Sequence, residues 1–172
     1  MRRLMLLRHA KSDRTGGEKD HERALAPRGR RSAPLMGAYM AQHRLLPDRV
    51  LVSTARRTRE TWDLVRSALK KPPPMALEER IYEASASRLL DIVQHADDAA
   101  ASLLLIGHNP GFEELAELLT DAQNSEPQRR LAEKFPTAAL AVIDFPVDRW
   151  ADVTPGTGRL ERFITPRALE GD

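Results

Sequence analysis

Leu4-Met5-Leu6-Leu7-Arg8-His9 is the stretch whose reading decides the fold. Four consecutive apolar residues run into an arginine and a histidine, and the pattern stops there. An apolar run without polar alternation reads as a strand buried on both faces, at the centre of a parallel sheet. Ligands of open α/β sheets bind beyond the carboxyl ends of such strands. Arg8-His9 is therefore a candidate anion site with a nucleophile or base built in. The competing reading is a strand that ends in ordinary polar surface, and the rest of the chain has to decide between them.

Working outward, residues 10 to 27 have no period, hold Gly16-Gly17 and read as a long loop of the kind that is often functional. Pro27 suits the first turn of a helix, and Leu35, Met36, Tyr39 and Met40 give one apolar face to a helix over 28–43. Val50-Leu51-Val52 is a second short buried strand. It leads through Ser53-Thr54-Ala55-Arg56-Arg57 into a helix with a Trp62/Val65/Leu69 stripe that Pro72-Pro73-Pro74 ends. Met75-Ala76-Leu77 is a short strand, and Ser85 or Ser87 caps a helix carrying Leu89, Leu90 and Val93.

Leu103-Leu104-Leu105-Ile106 is the third continuous apolar run, followed by Gly107-His108-Asn109-Pro110-Gly111. Asn109 reads as an N-cap and Pro110 as the first residue of a helix with Phe112, Leu115, Ala116 and Leu119 buried. Residues 121 to 136 are polar and poorly patterned and read as a mobile excursion; 137–145 and 160–164 read as two further strands, the second at an edge. Strands alternating with helices imply an α/β layered domain, and with no linker in view the expectation is one domain over residues 1–172.

Composition narrows the class. The 172 residues are 41% apolar and 30% charged with a net charge of +2, ordinary for a globular protein and without the massed cations of a nucleic-acid binder. There is no cysteine, which excludes disulfides and thiolate metal sites. No apolar run approaches the ~18 residues of a membrane span, and the apolar segment behind Met1-Arg2-Arg3 is too short for a signal peptide. A cytoplasmic location, with neither membrane nor nucleic acid as partner, is the expectation.

Three buried strands thus end in Arg8-His9, Arg56-Arg57 and Gly107-His108. Histidines and guanidinium groups gathered at one sheet edge need an anion between them, and a phosphoryl group supplies it. Arginine grips phosphate oxygens through paired hydrogen bonds and keeps its charge at any useful pH. A helix starting after Asn109 adds free N–H groups and a positive dipole end.

These residues resemble a family. Leu6-Leu7-Arg8-His9-Ala10 is similar to the Arg-His-Gly signature of the histidine phosphatase superfamily, the phosphoglycerate-mutase-like proteins. The stretch from Ser53 to Thr61, with Arg57 four residues after the serine, resembles its second motif, and Gly107-His108-Asn109-Pro110 its third. Arg23-Ala24-Leu25-Ala26-Pro27-Arg28-Gly29 resembles the turn that opens its first helix. Short length, Arg8-His9-Ala10-Lys11-Ser12 and Asp20-His21 look most like the SixA-type phosphohistidine phosphatase branch; Ala10 departs from the glycine of the wider family.

The resemblance implies a three-layer αβα sandwich with a mostly parallel central sheet. It implies His9 as the nucleophile that forms a phosphohistidine intermediate, and Arg8, Arg57 and His108 as the groups that hold the phosphoryl oxygens. Ser12 occupies a position where a hydroxyl lies near phosphate in that family, and Glu83 aligns with the glutamate that serves as general acid in many members. Arg56 is expected to face solvent; His21, His43 and His95 lack metal-ligand spacing and are expected to be structural or exposed. No metal or other cofactor is expected. Only 24 residues lie between Glu83 and His108, too few for a large lid. An open pocket suits a phosphorylated histidine on a protein partner. The rivals are a phosphatase for small phosphate esters or anhydrides, a non-catalytic phosphate-binding module and, more weakly, a mutase.

Overall fold

The apolar runs at 4–7 and 103–106 lie side by side in the middle of one sheet. The computed structural model describes residues 1–122 and 124–170. Among the described residues the strands are β1 (Arg2–Arg8), β2 (Arg49–Val52), β3 (Met75–Leu77), β4 (Ser102–Gly107), β5 (Leu140–Phe145) and β6 (Arg159–Ile164), in the spatial order β3-β2-β4-β1-β5-β6. β1 pairs with β4, and β2 with β3 and β4, all parallel; β5 runs antiparallel to β1 and to β6.

Side chains alternate across each strand, and here both faces are covered. Leu4, Leu6, Leu103 and Leu105 pack into one layer with α3 (Ala86–Gln94), α4 (Gly111–Leu119) and α5 (Glu126–Glu133). Met5, Leu7, Leu104 and Ile106 pack into the other with α1 (Pro27–Gln42) and α2 (Arg56–Arg66), where Met36, Met40, Trp62 and Val65 meet them. A short α6 (Pro166–Leu169) follows β6 and lays Leu169 against this second layer. Each such fully buried side chain contributes ~1.5–3 kcal/mol. That is why β1 and β4 can be apolar without interruption, whereas the edges cannot: Met75 and Leu77 of β3 are exposed, and β6 alternates.

Four expectations are corrected. Leu35 faces solvent, because the buried face of α1 is drawn by Ala33, Met36, Gly37 and Met40. The second helix ends at Arg66 rather than at the prolines. Ser67 donates its hydroxyl to the Leu64 carbonyl, and the next amides bond three residues back, which tightens the chain out of α geometry while Leu69 stays buried. The third motif's helix starts at Gly111 with Pro110 as its cap residue; Asn109 still caps in effect, its Oδ1 accepting from the Glu113 amide. Residues 121–136 contain α5, capped by Ser125 and anchored by buried Leu131 and Phe135.

Candidate active site

Strand order brings the three motifs together. β4 lies between β2 and β1, with Val52 beside Ile106 and Arg8 beside Gly107. Backbone bonds continue past the strand ends: the His9 amide donates to Gly107 O and the Ser53 amide to Ile106 O, both at 3.0 Å. His108 therefore stands between Ser53 and His9, with the His9 and His108 rings 5.4 Å apart. A Cβ on Gly107 would come within 2.6 Å of the Phe112 ring, so only glycine lets α4 close down behind His108.

His9 lines an open cleft of about 560 Å³ together with Arg8, Arg57, His108, Tyr82 and Glu83. Its Nδ1 lies 2.7 Å from the carbonyl oxygen of Ala10. A carbonyl only accepts, so Nδ1 carries the hydrogen and Nε2 keeps its lone pair. Burial pushes the imidazole well below its ordinary pKa, with His108, Arg57 and Arg8 adding like-charge repulsion. The loop behind it is held by α2: the Ala10 amide donates to Thr61 Oγ1 (3.0 Å), and Thr61 in turn donates to the Arg57 carbonyl (2.7 Å). Ala10 is fully buried, and its methyl group fits.

Arg57 is buried in the first turn of α2 and held by Asp20, through Nη1 to the Asp20 carbonyl (2.7 Å) and Nη2 to its carboxylate (3.1 Å). Arg8 donates Nη1 to the Phe135 carbonyl at 2.9 Å. His108 shares a 2.8 Å hydrogen bond between Nε2 and Ser53 Oγ, and burial with nearby Arg57 lowers its pKa to about 3. The Ala55 amide also approaches the Ser53 oxygen, at 3.5 Å. Three buried nitrogens, Arg8 Nε, Arg57 Nε and His108 Nδ1, have no hydrogen-bond partner among the described residues. Buried polar atoms are almost always paired, and all three of these belong to side chains that line the cleft.

The other predicted residues are placed as follows. Glu83 lines the cleft, is exposed, and adopts a left-handed φ of 57°. Ser12 does not line the cleft; its buried hydroxyl accepts from Arg23 Nη1 at 2.6 Å and so supports a cleft residue instead. Arg56 lies outside the cleft and pairs with Glu60. His21 bonds Thr54 and meets the Tyr82 ring edge-on, His43 lies against Tyr39, and His95 is exposed at the end of α3.

Sequence reasoning missed Asp20, Arg23 and Tyr82 as parts of the wall. Asp20 gathers Arg57, Arg23 and the Tyr82 hydroxyl on one carboxylate, and these bonds hold its pKa far below the usual range. Tyr82, partly desolvated and donating to Asp20, rises to about 12, so its phenol stays protonated. The advance signals were the place of Asp20 beside His21 and of Arg23 at the head of the turn motif, neither of which gave the residue a role. Among the described residues no group of three or more acidic or histidine side chains is placed to hold a metal ion.

Comparison with known proteins agrees with this geometry. A family model described as the histidine phosphatase superfamily (branch 1) matches residues 4–101. An uncharacterised protein of Mycobacterium tuberculosis is 39% identical over 166 residues, covering 94% of this chain and all of that one. Two solved structures are similar over the whole length. A candidate phosphohistidine phosphatase SixA from Nakamurella multipartitia has a TM-score of 0.84 at 25% identity, with 96% of each chain covered. Another, from Agrobacterium tumefaciens, has a TM-score of 0.78 at 30% identity, with 96% of this chain and 98% of that one covered. The layered sheet described above is the phosphoglycerate-mutase-like architecture of these neighbours.

Proposed function

This chain belongs to the histidine phosphatase superfamily, branch 1, and from that premise we propose that it removes phosphoryl groups from phosphohistidine on a protein through a covalent intermediate on His9. The observation that carries the reading is the set of unpartnered buried nitrogens around a neutral imidazole. Arg8 Nε, Arg57 Nε and His108 Nδ1 are donors for the equatorial oxygens, and their charge and hydrogen bonds stabilise the transition state in a site closed off from bulk water on one side.

In the first step the His9 Nε2 lone pair attacks phosphorus and an N–P bond forms. The bond from phosphorus to the leaving atom breaks, and the leaving group departs with that electron pair and takes up a proton. In the second step water attacks phosphorus, the N–P bond breaks back to Nε2, and inorganic phosphate leaves as the water proton passes to solvent or a carboxylate. A departing imidazole can be protonated before it leaves, whereas an alkoxide needs an acid close by; of the cleft carboxyl groups, Asp20 is engaged by Arg57, Arg23 and Tyr82, and Glu83 is assigned that role.

The openness of the cleft supports a protein-borne phosphoryl group. Charged side chains predominate in its walls beside Tyr82 and small residues such as Ala84 and Gly111, and the chain between Glu83 and His108 forms only α3 and β4 with their connections. The two SixA-described neighbours support the same substrate class. A substrate panel tests it: a phosphohistidine protein, a phosphoserine peptide and a small sugar phosphate, with His9→Ala as control. Efficient turnover of the phosphohistidine protein alone is expected. Efficient turnover of the sugar phosphate with the phosphohistidine protein left intact would move the assignment to the small-ester class.

A further inference from the structure

A second concavity, of about 430 Å³, lies beside the catalytic cleft. The two share chain segments. Lys11 lines the second concavity two residues after His9, and Pro136-Thr137 line it directly after Phe135, whose carbonyl holds Arg8. Around its rim stand Lys11, Arg28, Arg130, Lys134 and Arg167 against one carboxylate, Glu133. All five cations are exposed. The whole chain is nearly balanced, with 27 cationic and 25 acidic residues, so this excess is local.

The pairing pattern separates these cations from those that hold the fold. Arg3, Arg23 and Arg57 each have a carboxylate within 3.1 Å. Arg130 pairs with Glu126 one turn back on α5. Lys11, Arg28, Lys134 and Arg167 make no ion pair or side-chain hydrogen bond among the described residues, although they come from four separate parts of the chain. Like charges brought together without counter-charges raise the local potential and draw in an anionic partner. The groove holds no exposed aromatic ring on which a base could stack, since Phe163 is buried, and none of the exposed large apolar side chains of the protein lies in it. It therefore lacks both the stacking platform of a single-stranded nucleic-acid site and the apolar wedge of a membrane-binding face.

We propose that this groove docks an acidic surface of the phosphorylated protein partner, orienting its phosphohistidine toward His9. The proposal rests on the phosphohistidine reading above and adds the charge of the partner. The test uses synthetic peptides with one phosphohistidine flanked by glutamates or, in a second peptide, by glutamines, together with p-nitrophenyl phosphate. The proteins compared are the native chain and the double variant Lys134→Glu/Arg167→Glu. The native enzyme is expected to favour the glutamate peptide by about tenfold in kcat/KM through a lower KM, and to lose that preference at high salt. The double variant is expected to lose the preference while keeping its rates on the glutamine peptide and on p-nitrophenyl phosphate, which also shows that it is folded.

Equal rates on the two peptides, or equal losses by the variant on all three substrates, would overturn the docking proposal and leave the phosphohistidine reading standing. A binding arm separates the opposite failure, using fluorescence anisotropy of a labelled, unphosphorylated glutamate peptide on the full-length chain. Binding that the double variant abolishes, without hydrolysis of either phosphohistidine peptide, would uphold the groove and sink the substrate reading. If an oligonucleotide or anionic vesicles bind more tightly than the glutamate peptide and displace it, the groove belongs to another class of partner and the proposal fails.

Discussion

At the scale of single residues, the account depends on two histidines that stay neutral inside a ring of arginines. Burial and like-charge neighbours lower both pKa values, that of His108 to about 3. An imidazole titration by NMR in the free protein is expected to find both rings uncharged at about pH 6, where an exposed histidine is largely protonated. A midpoint for His9 at or above the ordinary 6.5 would contradict the proposed resting state. Glu83 carries a second residue-scale prediction. Its left-handed φ is unusual for a residue with a side chain, and such outliers cluster at functional sites. Glu83→Gln keeps the backbone and removes the acid. The rate on phosphate esters is expected to fall ~100-fold, while the rate on phosphohistidine changes by only a few-fold. Equal small losses on both would make Glu83 part of the wall and nothing more.

At the scale of elements, glycine at position 29 ties α1 to the catalytic loop. A Cβ there would lie 2.2 Å from the Lys11 carbonyl oxygen, which itself accepts from the Ala26 amide. Gly29→Ala must push α1 away from the segment just after His9. A stability loss of ~1–3 kcal/mol is expected by denaturant unfolding, with a fall in kcat larger than that in substrate affinity; an unchanged unfolding midpoint would refute the contact. Such contacts explain what could be read from the chain in advance. β1, β2 and β4 are continuous apolar runs because both of their faces are covered, so their type and ends were legible. Arg8, His9 and His108 were legible because they follow such runs within one or two residues, and Arg57 because it opens the helix that the next run leads into. α5 was not, because among its charged neighbours only Leu131 reaches the core, and one buried side chain in eight residues has no period. Asp20, Arg23 and Tyr82 were not, because they reach the site from segments without a period, and Asp20 meets Arg57 and Tyr82 only through contacts distant in sequence.

At the scale of the whole molecule, the strand order β2-β4-β1 is what turns three distant motifs into one site, and the site in turn sets how stability responds to acid. The folded pKa of His108 lies below its unfolded value of 6.5, as does that of His9. Between the two values the unfolded chain binds protons that the native chain does not, so stability falls as pH drops below about 6.5 and is level above it. Asp20, with its depressed pKa, adds a further loss below the ordinary carboxylate range. Thermal unfolding is expected to show a Tm that declines from pH 7 to pH 5, by the equivalent of about 2 kcal/mol for His108 and with His9 acting in the same direction. His108→Asn is expected to flatten the decline, and a level Tm across that window in the native protein would contradict the buried neutral pair. The charge of the groove beside the cleft was invisible in composition, because acidic residues elsewhere on the chain balance it.

The central claim is that phosphoryl transfer passes through His9, and rapid quenching of a single turnover with ³²P-labelled substrate tests it most directly. The account predicts acid-labile, base-stable label on the peptide that contains His9, rising and decaying within the turnover and lost in His9→Ala together with activity. Turnover that persists in His9→Ala, or label trapped on a different residue, would contradict it.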